Sequence, residues 1–362
     1  MKSKVAVIKT SPTAVLADIE KISLMAGLAE ALPKDKPVIL KDNISWHLPF
    51  PSANTTPWQL EGIIKTLRTA GYGNISAVHN NTVVTKPSQG LILNRLGPIY
   101  KKYQIPELYN FNPADIKWIL YQPKSKMPAL DKIFPAGIMI PEYFIGKSII
   151  HLPTVKCHIY TTTTGAMKNA FGGLMNTRRH QSHSWIHQTL VDLLAIQKEI
   201  HPGIFTLMDG TTCGNGPGPR TMMPVEKDFI LAGSDSVAID AVAARMMGFE
   251  PMNIPYIRLA TEAGLGTGIM KDIEIIGADI SDVNFHFRVG HNFVSRFGHL
   301  FWFSPLKIFQ KLLFQTPLIA FFILGSNLYH DKIWWTFKGK KLYRQFLNNS
   351  KWGKLFKVYT EI

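Results

Sequence analysis

The groups most able to do chemistry are concentrated between residues 153 and 173. There Lys156, Cys157 and His158 precede a run of Thr161, Thr162, Thr163 and Thr164, and Lys168 and Asn169 follow, with Gly165, Gly172 and Gly173 among them. Hydroxyls, backbone amides near glycines and a lysine are the groups that hold phosphate or carboxylate. His158 offers an imidazole titrating near neutrality, suited to general acid–base work. Lys168 offers a cation or, if desolvated, a nucleophile. Residues 153–173 do not carry the Gly-Lys-Ser/Thr order of a Walker loop. A threonine run also suits a plain strand end.

A second group begins at Asp209, directly after the apolar run 204–208, and continues through Gly210, Gly214, Gly216 and Gly218. A carboxylate where a strand ends can position a cation or orient a histidine, and Gly214 and Gly216 would let a ligand approach the backbone. Asn43, after Lys41 and Asp42, and Asp235, after Ser234, complete the expected site. Asp235 equally suits a helix N-cap. His183 and His187 are four apart and would share one helical face, a spacing that can ligate a metal. The acid of the zinc-protease pattern is missing between them, so a solvated histidine loop is expected and no metal is assigned. The set predicts an anionic small molecule as ligand. It names no cofactor, and leaves catalysis and simple binding both open.

These residues need a scaffold that gathers loops. Apolar runs at 5–8, 37–40, 75–79, 149–152, 204–208, 229–232 and 273–276 read as strands. Helical patterns at 14–31, 57–70, 186–198, 237–247 and 254–263 alternate with them. Such alternation predicts an α/β fold, its mainly parallel sheet flanked by helices, with ligands at the carboxyl ends of the strands. Thr56 and Pro57 read as N-cap and first helical residue.

The chain has 362 residues, 46% of them hydrophobic, enough for a large core. Two cysteines exclude a disulfide framework and an iron–sulfur or four-cysteine zinc site built from this chain alone, and favour a reducing, cytoplasmic setting. The net charge of +15 predicts attraction to something anionic. Residues 285–362 carry twelve Lys/Arg against two acids and half of the forty aromatic residues, so the composition divides the chain into 1–284 and a basic, aromatic C-terminal segment. Within that segment 305–314 reads as an amphipathic helix, with Leu306, Ile308, Phe309, Leu312 and Leu313 opposite Lys307, Gln310 and Lys311. Apolar and basic residues at helical spacing predict either a cap over the core or a segment lying on an anionic membrane surface. The seven-residue run 318–324 is too short to cross a bilayer. Nucleic acid is not expected, for no basic stripe runs through the main part. No pattern sets an oligomeric state.

Taken together, residues 41–57, 153–173, 209–219, 231–248 and 254–266 resemble the domain of unknown function 362 family, over most of residues 1–280. Residues 304–331 look like one subgroup of it. Many members carry or neighbour ferredoxin-type cluster motifs that this sequence lacks, so the resemblance implies no electron transfer here. More distantly, His158 and Lys168, ten apart, with His180 or His183 beyond, look like the order found in nickel-pincer lactate racemases. That likeness implies a lysine tethering a modified pyridinium cofactor and histidines that ligate nickel or move protons. Here a threonine run replaces that family's glycine-rich stretch.

Overall fold

The computed structural model describes residues 2–82, 84–314 and 316–360. Its strands are β1 (Ser3–Lys9), β2 (Val38–Asp42), β3 (Ile75–His79), β4 (Glu107–Tyr109), β5 (Trp118–Tyr121) and β6 (Ile138–Pro141). There follow β7 (Ser148–Leu152), β8 (Thr154–His158), β9 (Thr162–Thr163), β10 (Ile204–Asn215), β11 (Met223–Gly233) and β12 (Ile273–Gly277). The main sheet has the order β12-β1-β11-β10-β7-β2-β3-β4, with β8 beside β10 and carrying β9, while β5 and β6 pair separately. Along that path only β11 runs antiparallel to its neighbours. The fold is therefore α/β with a mainly parallel sheet, as the alternation predicts.

Side chains alternate across each strand, so successive residues enter opposite core layers. Val5, Val7, Ile39, Ile149 and Met208 lie on one face with the helices Ala166–Leu174, Ile186–Ile200, Ser236–Met247 and Pro255–Glu262. Ala6, Val38, Leu40, Ile150 and Leu207 lie on the other with Val15–Met25, Pro57–Thr69 and Lys351–Val358. Thr56 closes a capping box with Gln59 and Pro57 opens the helix, as expected.

Three expectations change. The helix expected over 14–31 is broken, because Gly27 takes φ 77° between Val15–Met25 and Leu28–Ala31. Residues 154–158, expected as loop, form β8. The expected glycine loop from Asp209 is strand as far as Asn215, because β11 pairs with β10 from Thr206 to Asn215 across one bulge. Gly214 serves packing there, for a Cβ would collide with Met222.

The C-terminal segment returns to the core. Trp335 packs on Trp46 and Phe50, at ring separations of 5.3 and 6.5 Å. The Trp46 indole donates to Asp331 (2.7 Å), whose carboxylate also faces His47 at 3.6 Å. The expected helix over 305–314 divides into the 3-10 turn Pro305–Phe309 and the short helix Gln310–Phe314; the expected Leu306, Lys307 and Lys311 side chains lie outside the described residues. Trp352 is fully buried against Trp58 (5.2 Å) and its indole donates to Asp228 at 2.7 Å. Trp352→Ala should cost about 3–5 kcal/mol of stability in urea unfolding, the range for truncating a buried aromatic side chain. A loss below about 1 kcal/mol would mean that the segment does not contribute to the core.

Candidate functional site

A cavity of about 340 Å³ opens at the carboxyl ends of the parallel strands. Lys41 to Ser45 reach it from the end of β2 and the loop beyond, Asn80 after β3, His158 at the end of β8, and Pro217 to Arg220 after β10. The helix Ala166–Leu174 contributes Lys168 and Asn169, and the C-terminal segment contributes Trp302, Ser326 and His330.

Position 165 fixes the start of that helix. Gly165 has φ 143°, and a Cβ would occupy the place of the Asp240 carboxylate. Asp240 accepts the Ala166 and Met167 amides at 2.6 and 3.2 Å, and burial pushes its acid up to about 8. The Lys168 ammonium lies 5.4 Å from the Phe171 ring centre, without an ion-pair partner among the described residues. Burial, and secondarily the charge of Arg179, lowers it to about 8.

The other cations are held largely by main chain. Lys41 donates to the Asp42 carbonyl (2.6 Å), and Arg179 to the carbonyls of Met175 (3.2 Å) and Asn81 (2.5 Å). Arg220 donates to Ser326 (3.1 Å) through Nη2, while its buried Nη1 has no partner among the described residues. Burial lowers Arg179 and Arg220 to about 10, which leaves both protonated at neutral pH. Asp42 is the acid among the lining residues, and it is already engaged: His79 lies 3.1 Å away, Lys41 3.6 Å, and Tyr100 donates at 3.2 Å. Four cations against one occupied carboxylate leave the cavity positive.

His158, His183 and His330 are neutral. His158 Nδ1 accepts the Tyr160 and Thr161 amides at 3.2 and 3.3 Å, so Nε2 carries the hydrogen. Burial, followed by the charges of Lys168 and His183, pushes its pKa well below the ordinary value. His158 is therefore a fixed donor at pH 7, not the group titrating near neutrality that its type suggests. His183 donates from Nδ1 to the His180 carbonyl (2.7 Å), and burial lowers it to about 4. His330 donates to the Ser326 carbonyl (2.8 Å), and burial lowers it to about 3.

Of the expected site residues, Asn43, His158, Lys168 and Asn169 line the cavity together. The others do not. Asp209 lies within β10, where it accepts from Thr56, the Trp58 indole (2.9 Å) and the Thr211 amide (2.6 Å), as a buried structural acceptor. Lys156 is buried beneath, donating to the Ala53 carbonyl (2.8 Å) and Thr154 (2.9 Å). The threonine run is a hairpin bonded within the protein: Thr161 to the Thr163 carbonyl, Thr163 to Tyr256, Thr164 to the Thr154 carbonyl, with Thr162 at φ 64°. Gly214 and Gly216 lie outside the lining. Asp235 sits at the other edge of the sheet, because β11 runs backwards; it caps Ser236–Met247 and accepts from Ser3 at 2.6 Å. His183 and His187 fall in different elements, a 3-10 segment and the following helix, so they share no helical face. No group of three metal-ligating side chains occurs among the described residues. Arg179, Arg220 and His330 were not anticipated; the Gly218-Pro219-Arg220 turn was the available signal for one of them.

The wall carrying Arg220 is tied to the strand carrying His158. Ile159 donates to the Gly218 carbonyl (3.2 Å), and a Cβ at Gly218 would collide with the Cys157 carbonyl oxygen.

The family Domain of unknown function (DUF362) matches residues 38–245, more than half of the chain and nearly all of the sheet around the cavity. The chain belongs to the DUF362 family. It is also similar to the thylakoid-associated protein sll1697 of Synechocystis sp., at 29% identity over 121 residues, 32% of this chain and 37% of that protein. The matched stretch thus spans little more than a third of that relative's length. No solved structure matches. Although the DUF362 cavity gathers His158, Lys168 and His183, neither match bears on the lactate racemase likeness.

Lys168 gives a stability test. Its proton is held less tightly in the folded chain, at about 8 against an ordinary 10.5, so stability should rise as pH climbs from about 8 towards 10.5. Lys168→Met should raise the ligand-free melting temperature at pH 7 and remove that rise. Lower stability at pH 7 would show the ammonium to be structurally required.

Proposed function

We propose that the cavity binds a small polyanion, phosphorylated or multiply carboxylated. The observation that carries this reading is the convergence of Lys41, Lys168, Arg179 and Arg220 on one cavity whose carboxylate, Asp42, is already engaged. An anion would supply the acceptors that the Arg220 Nη1 and the Lys168 ammonium lack, and His158 Nε2–H adds a neutral donor. If the site also catalyses, Lys168 is the group able to act both as cation and, deprotonated, as nucleophile or base near pH 8. Asp209 has no place in that chemistry, being bonded elsewhere.

Calorimetric titration with inorganic pyrophosphate tests the reading. Arg220→Ala or Lys168→Ala should weaken binding about 10–100-fold, the loss of one charge-assisted contact of roughly 1.5–3 kcal/mol. Because Lys168 loses its charge above about 8, affinity should fall as pH rises through that value, and Lys168→Ala should flatten the fall. Pyrophosphate and citrate both failing to bind at low ionic strength would sink the polyanion reading.

A second reading, association with an anionic membrane surface, rests on the outer face of the C-terminal segment. Ile308, Phe321 and Phe337 are 75, 71 and 80% exposed, and Lys332, Lys338, Lys340 and Lys341 stand exposed beside them. Isolated exposed apolar side chains are ordinary; a run of them on one segment bordered by lysines marks an interaction surface. No helix among the described residues is long and apolar enough to cross a membrane. The relative's recorded association with thylakoids points the same way. The protein should co-sediment with phosphatidylglycerol vesicles and dissociate as salt is raised, and Phe321→Asp with Phe337→Asp should abolish co-sedimentation. Undiminished binding by the double variant would exclude this face.

A further inference from the structure

The cavity and the apolar face are two sides of one helical stretch. Ser326 and His330, four residues apart, line the cavity. Leu324 and Leu328, each displaced two residues and so turned to the opposite side, are 66 and 53% exposed. The helix Ile319–Asn327 is apolar for its first six residues, yet none of its nine residues is buried. At the cavity wall Tyr160 meets Phe303 (5.6 Å between rings), and Phe303 is itself exposed. Cationic lining therefore passes into exposed aromatic and aliphatic surface within a few side chains.

We propose that the ligand of this cavity is the phosphorylated head group of an amphiphile, its hydrocarbon chains leaving over the exposed Phe303 ring where the C-terminal segment meets the cavity wall at Tyr160. The inference rests on the polyanion reading and specifies its ligand class. The dimensions agree: about 340 Å³ is near the lower end of small-molecule sites, enough for a phosphorylated head group but leaving long chains outside. The charge agrees as well. Asp331, the acid among the described residues of this segment, is turned inward to Trp46 and His47, so the outer face presents lysines to a phosphate-bearing surface. The shared recognition chemistry is a phosphate group, which either a soluble phosphate ester or a lipid can supply.

The experiment compares glycerol phosphate, dihexanoyl phosphatidic acid below its micelle concentration, and dihexanoyl phosphatidylcholine, titrated into the full-length chain. The expected result is that dihexanoyl phosphatidic acid binds at least about tenfold more tightly than glycerol phosphate, through chain burial. Arg220→Ala should weaken both ligands, with Arg220→Lys in its place if the alanine variant fails to fold by circular dichroism. Phe303→Ser, at an exposed position and thus no threat to folding, should reduce the phosphatidic acid affinity to that of glycerol phosphate. Equal affinities for these two ligands would overturn the amphiphile while leaving the polyanion site standing. Failure of either to bind, with pyrophosphate also failing, would remove both readings. Phosphatidic acid binding that ignores the Arg220 variants, or is matched by phosphatidylcholine, would show adsorption of chains alone and overturn the proposal.

Discussion

The central constraint on this protein is the cost of holding positive charge away from water without acids to neutralise it. Buried cations are ordinarily paired with carboxylates. Here Arg179 is held by main-chain carbonyls and Lys41 by a carbonyl and the shared Asp42 carboxylate, which lower the cost of desolvation without cancelling the charge of the whole set. The depressed pKa values of Lys168 and Arg179 express the residual cost. A fold that tolerates this expense keeps a positive potential inside the cavity. The same low-dielectric surroundings that penalise the cations strengthen their hold on an arriving anion.

The sheet makes that arrangement possible. Parallel strands deliver their carboxyl ends to one edge, so loops distant in sequence converge without any one carrying the whole site. This is why the fold and part of the site were legible from the sequence. The alternation of apolar runs and helical patterns identified the layers, and His158, Lys168, Asn43 and Asn169 all follow or adjoin strands that end at the cavity edge. The displaced acids, Asp209 and Asp235, have one topological origin. Along the main path of the sheet a single strand, β11, runs against the rest, and no local pattern reveals strand direction. Its reversal carries Asp235 to the far edge and pairs β10 far beyond its apolar run, drawing Asp209 into the ladder. Arg179, Arg220 and His330 escaped notice because each sits among residues that read as solvated loop or tail, and only the closing of the C-terminal segment brings them together.

That segment joins the two expectations the sequence set against each other. Its inner side caps the core through Trp335 and Trp352 and lines the cavity through Ser326 and His330. Its outer side exposes Phe321, Leu324 and Phe337. Capping and apolar exposure are thus properties of opposite faces of the same helices, and a compositional boundary near residue 284 need not be a structural one: Phe285 and Phe287 donate their amides to the carbonyls of Met246 and Met247.

The close approach at Gly218 has a mechanical meaning. Because its backbone abuts the Cys157 carbonyl and receives the Ile159 amide, the turn bearing Arg220 cannot slide independently of the strand bearing His158. The guanidinium and the imidazole are carried on backbone segments in direct contact, whereas Ser326 and His330 belong to a separate piece packed on the core at Trp335 and Trp352. The two pieces meet where Arg220 donates to Ser326 at 3.1 Å, so the guanidinium is the seam between them.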